Sequence, residues 1–200
     1  MEYLVTMTTN VPDGTPDGAV SDIRAREAAR SAELTAQGHL LRLWRPPLRP
    51  GEWRTLGLFA AVDAGELEQV LASMPLRVWR TDEVTPLSPH PNDPVPPPAP
   101  GPPEFLTTFT LTVPAGTPDA EVETTNTREA QSARQLAVQG HLLRLWRLPA
   151  DGGASTLGLW RAQDAAEMQA IVESLPLYAW MTVQTTPLTE HPSDPVLAGR

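Results

Sequence analysis

The sequence predicts an α+β fold built twice in one chain. Two observations carry this. The run Gln37-Gly38-His39-Leu40-Leu41-Arg42-Leu43-Trp44-Arg45 returns residue for residue as Gln139-Gly140-His141-Leu142-Leu143-Arg144-Leu145-Trp146-Arg147. Around each copy the hydrophobic patterning has one order: strand, helix, strand, strand, helix, strand. In 200 residues this makes two small domains, each marginal alone.

The elements follow in order. Tyr3–Thr9 is rich in β-branched and aromatic residues and reads as a strand. Thr15-Pro16-Asp17, repeated as Thr117-Pro118-Asp119, has the signature of a helix start, with Thr at the N-cap and Pro at the first helical position. The helix runs to about Gln37, where Gly38 terminates it. Strands are expected over His39–Arg45 and Trp53–Ala60. Asp63-Ala64-Gly65-Glu66 and Asp164-Ala165-Ala166-Glu167 match a capping box. They open short helices ending near Met74-Pro75 and Leu175-Pro176. A last strand covers about Arg77–Thr85, with an exposed middle at Arg80 to Glu83.

This order indicates a ferredoxin-like sandwich in each copy, with four antiparallel strands and two helices on one face. The expected layout is residues 1–90, a Pro-rich linker over 91–103, and residues 104–195. The linker reads as a semi-rigid polyproline II spacer. Leu41 and Leu43 fall on one face of the repeated strand, Leu40 and Trp44 on the other. Helices cover only one face, so the two sheets are expected to pack face to face as an intramolecular pseudo-dimer, open to further homo-oligomerisation.

Composition excludes several function classes. The formal charge is −9, which argues against nucleic-acid and anionic-membrane partners. Every basic residue is Arg, so Lys chemistry is excluded, and the absence of Cys removes thiolates and disulfides. No signal peptide or spanning run is apparent, which makes a cytoplasmic protein the default. Four isolated His are a poor metal signature, and no metal or cofactor is expected.

The candidates for chemistry are polar residues in apolar patterns. Glu27 falls on the helix stripe of Val20, Ile23 and Leu34, and Glu129 sits between Val122 and Leu136 at the same spacing. Partial burial there would raise a carboxyl pKa towards neutrality, as acid–base catalysis needs. An ordinary helix ion pair with Arg24 or Arg30 is the competing account. The second copy has Asn126 and Ser132 at those positions, yet keeps the carboxylate. His39 and His141, after the terminating glycines, are candidate proton shuttles or structural hydrogen-bonders. His90 and His191, in Pro-rich tails, could cap a helix or a pocket mouth. Arg42, Arg144, Arg45 and Arg147 could clamp an anionic substrate or pair across the sheet. Trp44, Trp146, Trp79 and Trp180 are pocket-wall or core residues.

Across each copy the chain resembles the muconolactone isomerase family. The residues that carry the resemblance include Met7, Glu27, Gly38 and Leu43-Trp44-Arg45, then Met74-Pro75-Leu76, Thr85-Pro86-Leu87 and His90-Pro91. The second copy shows Leu175-Pro176-Leu177, Thr186-Pro187-Leu188 and His191-Pro192-Ser193. The resemblance implies ferredoxin-like domains paired sheet to sheet, tails that reach across, and proton transfer by Glu27 or Glu129 in a small unsaturated lactone. It implies no cofactor and a small-molecule substrate, with anions among the candidates. The family's helix Lys is replaced by Arg24 and Asn126, and His39-Leu40-Leu41-Arg42 departs from the classical enzyme. Two other outcomes are open: tailoring of a biosynthetic intermediate by cyclisation or ring opening, and non-catalytic small-molecule binding or scaffolding.

Overall fold

The computed structural model describes residues 1–95, 99, 101, 103–149 and 154–199. Pro96-Pro97-Pro98, Pro100 and Pro102 of the expected polyproline spacer lie outside them. The chain forms two compact units. One is Met1–Leu87 with Glu190–Arg200, and the other is Ser88–Thr189.

In unit one, β1 (Glu2–Thr9), α1 (Asp17–Ala36), β2 (Leu40–Arg45), β3 (Arg54–Ala60), α2 (Ala64–Ala72) and β4 (Arg80–Pro89) follow in sequence. The sheet order is β4-β1-β3-β2, antiparallel throughout, which is the ferredoxin-like arrangement. Burial alternates along β1, as a sheet with one covered face requires. Tyr3, Val5 and Met7 point into a core shared with Leu34, Phe59, Leu67 and Leu71.

Unit two repeats the plan with β5 (Glu104–Leu111), α3 (Asp119–Val138), β6 (Leu142–Arg147), β7 (Ala154–Arg161), α4 (Ala165–Glu173) and β8 (Met181–Glu190). Its order is β8-β5-β7-β6. Within this unit Ser88 and Pro89, the last residues of the β4 strand, pair with Arg147 and Trp146 of β6.

The helix ends follow local chemistry. Gly38 at φ +78° closes α1, with the His39 N–H donating to the Leu34 carbonyl at 2.9 Å. Gly140 at φ +79° does the same for α3 through His141 and Leu136. Asp63 and Asp164 cap α2 and α4 by accepting from the Glu66 and Glu167 N–H groups. The starts of α1 and α3 differ from expectation. Pro16 and Pro118 occupy the N-cap positions, and the Thr15 and Thr117 hydroxyls donate backwards to Pro12 and Pro114.

Two further differences bear on the site. The expected last strand begins later, because Pro75–Trp79 form a 3-10 turn before β4. Within β2 the register slips between Leu40 and Arg42. This bulge brings Leu40 into the core together with Leu43, which strict alternation would not allow. The same slip recurs between Leu142 and Arg144.

Candidate active site

Helix α1 presents Ile23, Ser31 and Leu34 inward, and Glu27 shares that face. Glu27 lines a cavity of about 200 Å3 in unit one, with its side chain only 13% exposed. Two donors hold its carboxylate. The Leu76 N–H, in the 3-10 turn, donates to Oε2 at 2.8 Å, and Arg80 Nη1 donates to Oε1 at 3.1 Å. Burial still dominates and pushes the Glu27 carboxyl above its ordinary range. The Leu76 bond and the Arg80 charge pull it back, while the nearby Asp82 charge adds to the rise.

Arg80 is buried and belongs to a network. Its Nε donates to Asp82 Oδ1 at 2.6 Å, and Arg77 Nη1 donates to Asp82 Oδ2 at 2.6 Å. The expectation of an exposed strand middle is therefore corrected at Arg80 and Asp82, whose side chains are each 2% exposed. The sequence held one usable signal. The second copy has apolar Met181 and Val183 at these positions.

The cavity is completed by the tail. His191, Pro192 and Ser193 line it beside Arg24, Arg45 and Trp53. The Ser193 N–H donates to His191 Nδ1 at 3.1 Å, which places the proton of the neutral ring on Nε2. Burial, with the charges of Arg45 and Arg24, outweighs Asp194 and lowers His191 to about 4. The ring is therefore neutral at physiological pH. Asp194 anchors the tail: it is fully buried and accepts from Arg42 Nη2 at 3.1 Å and from the Leu43 N–H at 3.2 Å.

Unit two has the same framework with different walls. Its cavity is about 650 Å3 and is lined by Glu129, His90, Asn126, Arg147 and apolar residues including Phe109 and Trp160. The Leu177 N–H donates to Glu129 Oε2 at 3.0 Å. Burial raises the Glu129 carboxyl and the Leu177 bond opposes it. The Asn92 N–H donates to His90 Nδ1. Burial and the Arg147 charge lower His90, against the pull of Asp93. Asp93 takes the Leu145 N–H at 2.6 Å and Arg144 at 3.3 Å.

The remaining candidates lie elsewhere. Arg42 and Arg144 do not line the cavities; they are engaged by Asp194 and Asp93 and lie over Trp44 and Trp146 at 4.7 and 4.8 Å. His39 and His141 donate from Nδ1 to the Ala60 and Arg161 carbonyls at 3.0 Å, tying β2 to β3 and β6 to β7. Trp79 and Trp180 accept at their carbonyls from Asn10 and Thr112 N–H groups, and neither is among the lining residues of these two cavities. Arg45 and Arg147 do line the cavities.

A family model described as muconolactone delta-isomerase matches residues 1–93 and again 104–194. The chain belongs to the muconolactone delta-isomerase family. The muconolactone delta-isomerase of Cupriavidus pinatubonensis is 35% identical over 92 residues, which is 46% of this chain and 97% of that protein. Muconolactone delta-isomerase 1 of Acinetobacter lwoffii is also 35% identical over 92 residues, covering 93% of its length. A relative of nearly full length thus corresponds to about half of this chain, as the tandem repeat requires. Among solved structures, chlorite dismutase from Candidatus Nitrospira defluvii in complex with imidazole aligns with a TM-score of 0.62 at 11% identity. That match covers 99% of this chain and 94% of that one, and it shows shared fold alone. The family is one of isomerase enzymes. Among the described residues, no helix is long and apolar enough to cross a membrane.

Proposed function

We propose that the chain moves a proton within a small unsaturated lactone or related carbonyl compound, with Glu27 and Glu129 as acid–base groups. The supporting observation is one shared arrangement. In each unit a carboxyl raised by burial is fixed by a backbone N–H on the wall of a cavity that also holds a tail histidine. The repeats 1–90 and 104–195 act as two isomerase-like copies.

In this reading the carboxylate breaks the C–H bond at the carbon joined to the lactone carbonyl through the C=C bond, and an O–H bond forms on Glu. The electron pair spreads into the conjugated enolate. The same carboxyl then returns the proton to the carbon next to the carbonyl, so the double bond migrates with no net redox change. The neutral tail histidine donates from Nε2 to the developing enolate oxygen, a role that a fixed, desolvated donor performs well. Arg45 and Arg24 face a substrate carboxylate in unit one. His39, His141, Arg42 and Arg144 hold the strands and tails and take no part in the proton transfer.

Deuterium incorporation into muconolactone in D2O, followed by NMR, tests the assignment. Glu27→Gln with Glu129→Gln is expected to remove exchange at least a hundredfold, as loss of a general base does, while the fold is kept. Exchange at the wild-type rate in that folded double variant would sink the carboxylate mechanism.

A further inference from the structure

The two cavities occupy corresponding positions but differ in chemistry. Unit one gathers Arg24, Arg45 and Arg80 around Glu27, so cationic charge exceeds anionic. In unit two the positions of Arg24 and Arg80 are Asn126 and Met181, and Arg147 is the single arginine among the lining residues. Met181 and Val183 instead pack against the apolar core of that unit. The mouths differ as well. In unit one, Arg24 lies over the Trp53 ring at 5.1 Å, and both line the cavity. In unit two Asn126, at the position of Arg24, lines the cavity together with Ser155 and Leu148.

Size and wall chemistry change together. Thr9 and Met7 of the first cavity correspond to Leu111 and Phe109 of the second. The volume rises from about 200 to about 650 Å3. Sites for drug-sized molecules span about 300–1,000 Å3. The first cavity falls below that range and the second lies inside it. A carboxylate entering the second cavity would lose water without regaining the arginines of the first.

We propose that the unit-two cavity is a separate site for a larger, uncharged, mainly apolar carbonyl compound, such as an aryl-substituted lactone. The unit-one cavity retains the small carboxylate-bearing class. What Glu129 does to such a ligand rests on the acid–base reading above. That the ligand binds there rests on the walls alone. Apolar burial supplies the affinity, and the Glu129 carboxyl, without an arginine at the Arg80 position, sits beside a neutral molecule at low electrostatic cost.

Isothermal titration calorimetry on the full chain tests this with two ligands, muconolactone and an uncharged 5-phenyl butenolide. Leu111→Trp fills the second mouth and Met181→Arg restores the missing charge. Ala28→Trp fills the first mouth. The phenyl butenolide is expected to bind one equivalent per chain, to weaken at least tenfold in Leu111→Trp and Met181→Arg, and to change less than twofold in Ala28→Trp. Saturating muconolactone should not displace it. Leu111 and Ala28 are not buried, so Leu111→Trp decides the matter if Met181→Arg fails to fold. Absence of binding to the wild type, displacement by muconolactone, or indifference to Leu111→Trp would overturn the proposal. Deuterium exchange is read separately: binding without exchange refutes the acid–base reading and leaves this one standing.

Discussion

Glu129 shows what a carboxyl on a cavity wall costs the fold. Its carboxyl is raised by burial, so the folded state resists ionisation that the unfolded chain accepts freely. At neutral pH that residue opposes folding. Glu129→Gln keeps an acceptor for the Leu177 N–H and removes the charge. It should raise the unfolding temperature, by about 2–4 °C for each kcal/mol gained in a chain of this size, while exchange at that site is lost. Glu27→Gln should not stabilise equally, because Arg80 is buried beside it and loses an anionic partner. Differential scanning calorimetry of the two variants separates these outcomes. His191 has the opposite sign problem. Its folded pKa is depressed to about 4 from 6.5, so the unfolded chain takes up the proton first as pH falls. Its contribution is complete above about pH 6.5 and is lost towards pH 4. The His191 share of stability should fall as pH drops through that window, read as the difference between wild type and His191→Gln at each pH, since the raised carboxyls act in the opposite direction. Under the proposed mechanism the acid limb of exchange should lie above 4.5, the ordinary value from which both carboxyls are raised.

At the scale of elements, the two tail segments are built alike but anchored unequally. Asp194 is fully buried against an Arg42 side chain that is 9% exposed, whereas Asp93 and Arg144 are 18% and 24% exposed. Breaking a buried pair costs about 3–5 kcal/mol, and exposed pairs are worth about 0–1 kcal/mol. Asp194→Asn should therefore destabilise by a few kcal/mol and Asp93→Asn by clearly less, in urea unfolding of each variant. Helix and strand identities were legible because their periods are local: Glu27 could be put on the inward face of α1 from Val20, Ile23 and Leu34 alone. The slip in β2 was not legible, since a bulge leaves no mark in an apolar run. Arg80 was misplaced for a related reason. Alternation in a polar stretch puts a charged residue outside, and the Glu27 and Asp82 that pair with it inside are found only once the chain is folded. The partnership of Arg42 with Asp194 joins residues 152 positions apart, so no local pattern announces it.

For the whole molecule, the compact units do not coincide with the sequence repeats. The boundaries 1–90 and 104–195 follow the repeats, but Glu190–Arg200 belongs to unit one and Ser88 onward to unit two. Each cavity thus takes its histidine from the tail of the other repeat. Truncation after Thr189 should abolish Glu27-dependent exchange, while exchange that depends on Glu129 persists, as single-Glu variants of the truncated chain would show by NMR. The exchange of tails has a bearing on inheritance. Two copies on one chain would ordinarily be free to drift apart, and either could be shed. Here a deletion that discarded the second repeat would also discard the residues that finish the first. The duplication can be undone only by a shorter chain that again lends its end to a second molecule, so the fused form tends to persist once it exists.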